Sequence, residues 1–196
     1  APSIASQYMD VTAGQACAGI RRLGFHAVIE AAWGADMTAW LEAKELREKG
    51  FLLSSCCPSF VEYVRQNFPD LADHISSTLS PMAQIGKWLH ETDPGCRVVF
   101  IGPCISKKSE AQHTEAARYV DCALTFEGEP LDNASYFGRI FARSGGLAAA
   151  VEQALTEQAP ATQGAKDTRF QFQPLVCSGL PECRTALLKA QKGLLK

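Results

Sequence analysis

Between its glycine and proline breakers the chain alternates short β-rich runs with longer stretches of helical periodicity. "FHAVIEA" precedes "DMTAWLEAKELREK", "FLLSS" precedes "PSFVEYVRQNF", "RVVFIG" precedes "SKKSEAQHTEAARYV", and "FQFQPLV" precedes "LPECRTALLKAQK". Alternation of this kind predicts βαβ units, a parallel sheet and an α/β class. In the second pair Phe60, Val61, Val64 and Phe68 recur at helical spacing and give one apolar face, while Pro58 suits a first helical turn. Cys57 is thereby expected near an N-cap, with Cys56 just before it. The stretch "EQAPATQGAKDT" at 157–168 reads as a linker setting the last strand and helix apart.

Composition narrows the function classes. The chain has 196 residues, 46% hydrophobic and 20% charged, which suits one compact domain or two small lobes sharing a cleft. A formal charge of −2 with scattered Lys and Arg argues against a nucleic-acid partner. No apolar segment reaches the ~18 residues of a membrane span, and "APSIASQYMD" lacks the layout of a signal peptide, so a cytoplasmic protein is expected. Eight cysteines in that compartment are expected to be reduced thiols, more apt for metal binding or chemistry than for a disulfide framework.

Two sites share one grammar. "FLLSSCCPSF" ends a β-rich run on Cys56 and Cys57 before a helix, and "RVVFIGPCISKK" breaks at Gly102 and Pro103 and presents Cys104 ahead of Ser106, an expected N-cap. A thiol at a helix N-terminus feels the positive end of the dipole, which lowers its pKa, and both members of the pair are expected to gain from it. Past the carboxyl ends of parallel strands such residues line the ligand crevice, so Cys57 and Cys104 are expected to converge on one ligand. Adjacent cysteines do not easily bond to each other, so Cys56 and Cys57 need separate roles. Cys17, Cys96 and Cys122 read as small buried hydrophobes, and the spacing of Cys177 and Cys183 matches no common metal pattern.

These residues bear a family resemblance. "SSCCPSF" resembles the first signature of the [FeFe]-hydrogenase catalytic domain, TSCCPxW, and "GPCISKKSE" resembles the second, MPCxxKxxE. "APSI", "GADMTAWLEA", "SSTLSPM" and "FARSGG" are similar to its flanking segments. The resemblance implies a single H-cluster domain over 1–196, probed as two lobes of doubly wound, mostly parallel sheet, roughly 1–105 and 106–196, with flanking helices and the metal site in the cleft between them. It implies an H-cluster, a [4Fe-4S] cubane bridged to a two-iron unit carrying CO, cyanide and azadithiolate, that interconverts protons and electrons with hydrogen. Cys57 and Cys104 match cubane ligands, and Cys56 matches the thiol that passes protons to the azadithiolate. Lys107, Pro2 and Ser3 match the residues that touch the cyanides, and Ser80 and Phe141 match those lining the two-iron pocket. The electron partner implied is a ferredoxin or a fused iron–sulfur domain.

Glu42, Glu45 and Lys49 lie at i, i+3 and i+7 on one face of a helix expected to begin near Asp36. On spacing alone this is either a solvated charged face or a line of carboxylates. The resemblance implies the second, a relay through Cys56, Glu42, Ser76 and Glu45.

Three positions depart from the family pattern: Phe60 in place of Trp, Gly102 in place of Met, and Met82 in place of Gln. The third signature, of CxGGCxxGG type, which would supply the remaining cluster cysteines, is absent from the 196 residues, so a fragment of a longer protein is expected. The alternative reading is a non-catalytic hydrogenase-like iron–sulfur protein, engaged in cluster assembly or hydrogen sensing. An ordinary dinucleotide-binding enzyme is disfavoured, because no GxGxxG follows an early strand.

Overall fold

The computed structural model describes residues 12–125, 146–158, 173–177 and 179–195. Helix α1 (Ala13–Arg22) opens on a capping box in which the Thr12 side chain accepts from the Gln15 amide and the Gln15 side chain accepts from the Thr12 amide. Helix α2 (Ala31–Lys49) follows and ends on Gly50, whose φ of 74° is the left-handed conformation that terminates helices.

The expected strand at 25–31 does not form, and α2 begins at Ala31 rather than near Asp36. The reason is local and tertiary at once. Ala31, Ala32, Gly34, Ala35, Thr38, Ala39 and Ala43 make a buried small-residue seam along α2, and alanine is the best helix former. The seam lets α4 (Pro81–Thr92) come very close: a Cβ on Gly34 would lie 2.0 Å from the Pro81 carbonyl oxygen. The Thr38 hydroxyl ties the same crossing by donating to Leu79 O at 3.1 Å. On another side of α2, Ala35, Ala39 and Ala43 pack against Ala150, Val151, Ala154 and Leu155 of a helix spanning Gly146–Glu157. That helix was not expected from the sequence. Arg47 donates to its terminal carbonyls at Leu155 and Gln158 and so caps it from outside.

"FLLSS" forms no extended strand but one parallel bridge, Leu53 with Ile75. Leu53 N–H donates to His74 O and Ser76 N–H to Leu53 O, each at 2.7 Å. Helix α3 (Pro58–Asn67) has Cys57 at its N-cap and Pro58 in its first turn, as expected. Val64 and Phe68 are buried with Leu71, Ile75 and Leu187, the last from the helix at Leu180–Gln191.

Strand β1 (Val99–Gly102), helix α5 (Ser106–His113) and strand β2 (Cys122–Thr125) make one βαβ unit, with β1 and β2 parallel and Val99 opposite Cys122. This is the α/β arrangement read from the sequence, reduced among the described residues to two strands. Its core joins Met82 and Ala83 of α4 to Ala111, Ala116, Val120 and Ala123. Helix α6 (Gly146–Glu157) and helix α7 (Leu180–Gln191) complete the described elements. Residues 173–176 of "FQFQPLV" form no strand, and most of the expected linker lies outside the described residues. No helix among the described residues is long and apolar enough to cross a membrane.

Candidate iron–sulfur site and proton path

The two cysteine motifs stand at the starts of α3 and α5, two helices that touch each other. Cys57 is exposed at the N-cap of α3, and Cys104 is exposed two residues ahead of the first residue of α5. Ser106 is not the cap: Ile105 holds that position with a helical backbone, and Ser106 is the first helical residue, its hydroxyl 2.9 Å from the Cys104 sulfur. The motifs are stitched together by Lys107, whose ammonium donates to the Cys56 carbonyl at 3.2 Å and pairs with Glu110 Oε2 at 2.5 Å. Glu110 is buried and also accepts from the Ser80 hydroxyl. Ser80 is itself the N-cap of α4, its oxygen accepting from the Ala83 amide. Sequence reasoning did not single out Glu110, although its i,i+3 spacing from Lys107 was there to be read.

Cys56 differs from its neighbour. Its side chain packs against the α2–α6 core, and burial pushes the thiol up to about 11, against a downward pull from the Ser54 hydroxyl. The expectation that both cysteines gain thiolate character from the helix N-terminus therefore fails for Cys56: desolvation exceeds any dipole effect, and the group stays a thiol near neutrality.

Behind Cys56 lie the two carboxyls of α2. Glu42 is 2% exposed and accepts from the Ser54 hydroxyl at 2.8 Å and the Ser55 amide at 3.2 Å. Burial raises its pKa to about 7, with the Ser54, Ser55 and Ser76 donors working the other way. Glu45, one turn on, accepts from the Ser76 hydroxyl at 2.6 Å and the Ser77 amide at 3.0 Å, and pairs with Lys49 at 2.8 Å. Burial pushes it upward too, but Lys49, Ser76 and Ser77 outweigh that and hold it at about 2. Ser76 is thus placed between the carboxyls. Ser54 and Ser77 were not anticipated; the only signal for them was a run of hydroxyls on either side of the Leu53–Ile75 bridge.

Of the residues singled out in the sequence, Ser76 donates to Glu45, Glu42 lies one turn before Glu45 on α2, and Lys107 and Ser80 meet at Glu110. Pro2, Ser3 and Phe141 lie outside the described residues. Met82 is fully buried in the α4 core and Phe60 packs beside Val64 and Leu187. All eight cysteines are free.

Residues 1–129 match the family model for the iron only hydrogenase large subunit, C-terminal domain. The chain belongs to that family. Its relatives fall into two kinds. The cytosolic Fe-S cluster assembly factor NAR1 of Kluyveromyces lactis is 37% identical over 89 residues, 45% of this chain and 19% of that protein. Iron hydrogenase 1 of Clostridium pasteurianum is 32% identical over 135 residues, 60% of this chain and 23% of that protein. The chain therefore spans about a fifth to a third of the length of the curated relatives it matches. The fold is that of the apo [FeFe]-hydrogenase HydA1 from Chlamydomonas reinhardtii, matched with a TM-score of 0.65 at 20% identity over 94% of this chain and 68% of that one.

Family membership makes an iron–sulfur cluster the group to test against the residues present. Two exposed cysteines on adjacent helix starts are the soft, accessible donors such a cluster needs. Among the described residues no cluster of three or more His, Cys, Asp or Glu side chains is close enough to hold a metal ion. Cys57 and Cys104 are the residues that would offer thiolates to such a cluster.

Proposed function

We propose that this chain forms the cluster-holding part of a hydrogenase-like iron–sulfur protein, with Cys57 and Cys104 as two ligands of a [4Fe-4S] cubane. The observation that carries it is that Cys57 and Cys104 are both exposed at helix starts whose segments are tied by the Lys107 ammonium donating to the Cys56 carbonyl. When bound, the cluster supplies one-electron chemistry; the chain supplies thiolates, orientation and a buried acid–base line. The reading takes 1–196 as one domain of two lobes, roughly 1–105 and 106–196.

Cluster assembly in the cytosol is the better supported activity, because the NAR1 relative is more identical over its aligned residues than the hydrogenase relative, 37% against 32%. An [FeFe]-hydrogenase domain is the second reading, favoured by the line Cys56, Glu42, Ser76, Glu45, which a protein that only holds a cubane has no need of. On that reading Lys107, Ser80, Pro2, Ser3 and Phe141 would surround a two-iron unit with CO, cyanide and azadithiolate, and a ferredoxin or an iron–sulfur domain would exchange electrons.

Anaerobic reconstitution with iron and sulfide tests the common core. Iron content and the visible and EPR signals of a cubane are expected in the full chain and are expected to fall away in Cys57→Ala and Cys104→Ala; normal loading of both variants would refute the ligand assignment. Transfer of the cluster to an apo acceptor protein would favour assembly. Hydrogen evolution after maturation with a synthetic two-iron precursor would favour the hydrogenase.

A further inference from the structure

We propose that Ser106 is a positioning residue for the cluster: its hydroxyl donates to the Cys104 sulfur and raises the reduction potential of the iron held there. The inference rests on the assignment of Cys104 as a cluster ligand, and deepens it by naming a group of this chain that tunes the cluster.

The two exposed thiols are not equivalent. The Cys104 sulfur lies 2.9 Å from the Ser106 hydroxyl, whereas the Cys57 sulfur makes no capping bond at the start of α3. The backbone sets the Cys104 contact. The Lys107 amide donates to the Cys104 carbonyl at 3.2 Å and the Lys108 amide to the Ile105 carbonyl at 2.9 Å, so residues 104–108 wind in consecutive tight turns that bring Sγ and Oγ together. Ser106 is also released from capping, because Ile105 holds the cap with a helical backbone, and its hydroxyl has no second partner among the described residues. Lys107, the next residue, is anchored on Glu110 and on the Cys56 carbonyl, which fixes the start of α5.

In the free thiol either the sulfur or the oxygen can donate. A thiolate bound to iron has no proton to give, so the serine is then the donor. A hydroxyl aimed at a ligand sulfur stabilises the reduced, more negative cluster more than the oxidised one, and removing it lowers the potential. One electron is gained from an external reductant; no bond is broken and no proton is transferred. Ser106 also begins a helix, a structural role that leaves the potential unmoved, and the test has to separate the two.

The test is a potentiometric titration of the full chain after anaerobic reconstitution with iron and sulfide, with dithionite as the reductant and the cubane EPR signal as the readout. Ser106→Ala is expected to load as much iron as the parent chain. At a given potential its ratio of reduced to oxidised cluster is expected to fall about three- to tenfold, a shift of about 30–60 mV for one electron. Ser106→Thr, which keeps the hydroxyl, is expected to restore the potential, and Ser106→Val, of similar size without it, to stay low. Ser109→Ala, exposed on the same helix, is expected to change nothing. A fully loaded Ser106→Ala or Ser106→Val at the parent potential would overturn the proposal, as would equal shifts in the valine and threonine variants, since that outcome reports packing alone. Loss of the cluster from the alanine and valine variants alone would overturn it too, because the hydroxyl would then serve loading instead of tuning. Normal iron content in Cys104→Ala, read before any potential, would instead refute the ligand assignment.

Discussion

Glu42 and Glu45 are the same residue type on the same face of one helix, one turn apart, yet they stand in opposite charge states at mildly acid pH. Glu42 receives neutral hydroxyl and amide donors and no cation, and burial carries it to about 7. Glu45 receives similar donors plus the Lys49 ammonium at 2.8 Å and lies at the wetter end, at about 2. The difference teaches that two or three neutral hydrogen bonds do not offset the desolvation of a carboxylate, whereas one paired cation at the edge of the solvent turns the balance. It also sets a direction. The inner carboxyl changes its proton occupancy around neutrality, and the outer one stays an anion.

The comparison breaks most visibly in the glutamine variants. Glu42 has a folded pKa raised above its unfolded value, so its contribution is most favourable below about 4.5 and is lost as pH rises toward about 7. Glu42→Gln, which keeps the acceptor and removes the charge, is expected to be more stable than the parent by roughly 3 kcal/mol near pH 8 and equal to it near pH 4, as read by denaturant melts at both. A parent that is equally stable relative to Glu42→Gln at both pH values would show that the carboxyl ionises freely. Glu45 has the opposite sign: its depressed pKa stabilises above about 4.5, and that is lost as pH falls toward about 2. Glu45→Gln should therefore lose about 1–2 kcal/mol near pH 7, the difference closing in acid.

Ser76→Ala sharpens the boundary between the two. Its hydroxyl donates to Glu45 and draws Glu42 down as well, so both carboxyl titrations followed by carbon NMR should move upward, at a cost of about 1 kcal/mol. Movement of only one would place the serine on that side alone. Lys49→Met is the mildest probe. It should raise the Glu45 titration, leave Glu42 where it is and cost about 0.3–0.5 kcal/mol, with the effect fading in high salt because the lysine is partly exposed.

The spacing of Glu42, Glu45 and Lys49 was legible from helical period alone, and so was Cys57 at an N-cap, because Pro58 and the Phe60–Val64–Phe68 face mark the start of α3. What spacing could not convey was the division of labour within each pair. Whether Glu42 is buried depends on how closely α4 and residues 76–80 cross α2, and that closeness comes from Gly34 meeting the Pro81 carbonyl, a contact between segments far apart in sequence. Val28 and Ile29 look like a strand but have no partner strand among the described residues, and the alanines behind them favour helix instead. Ala150, Val151, Ala154 and Leu155 carry a helical period that went unread because they share no motif with the cysteines. Ser54 went unread for a different reason: a serine ending a β-rich run is common, and only the fold turns one of two adjacent serines toward a carboxylate.

The Leu53–Ile75 bridge has a consequence for timing. Residues 54–56 and 76–78 approach Glu42 and Glu45 from two separate segments, and the bridge joins those segments through two backbone hydrogen bonds. Whenever these bonds open, the Ser54 and Ser76 hydroxyls lose the common frame that holds them on Glu42 and Glu45. The amide protection of Leu53 and Ser76 would then serve as a clock, measuring the fraction of time for which both carboxyls keep their hydroxyl donors.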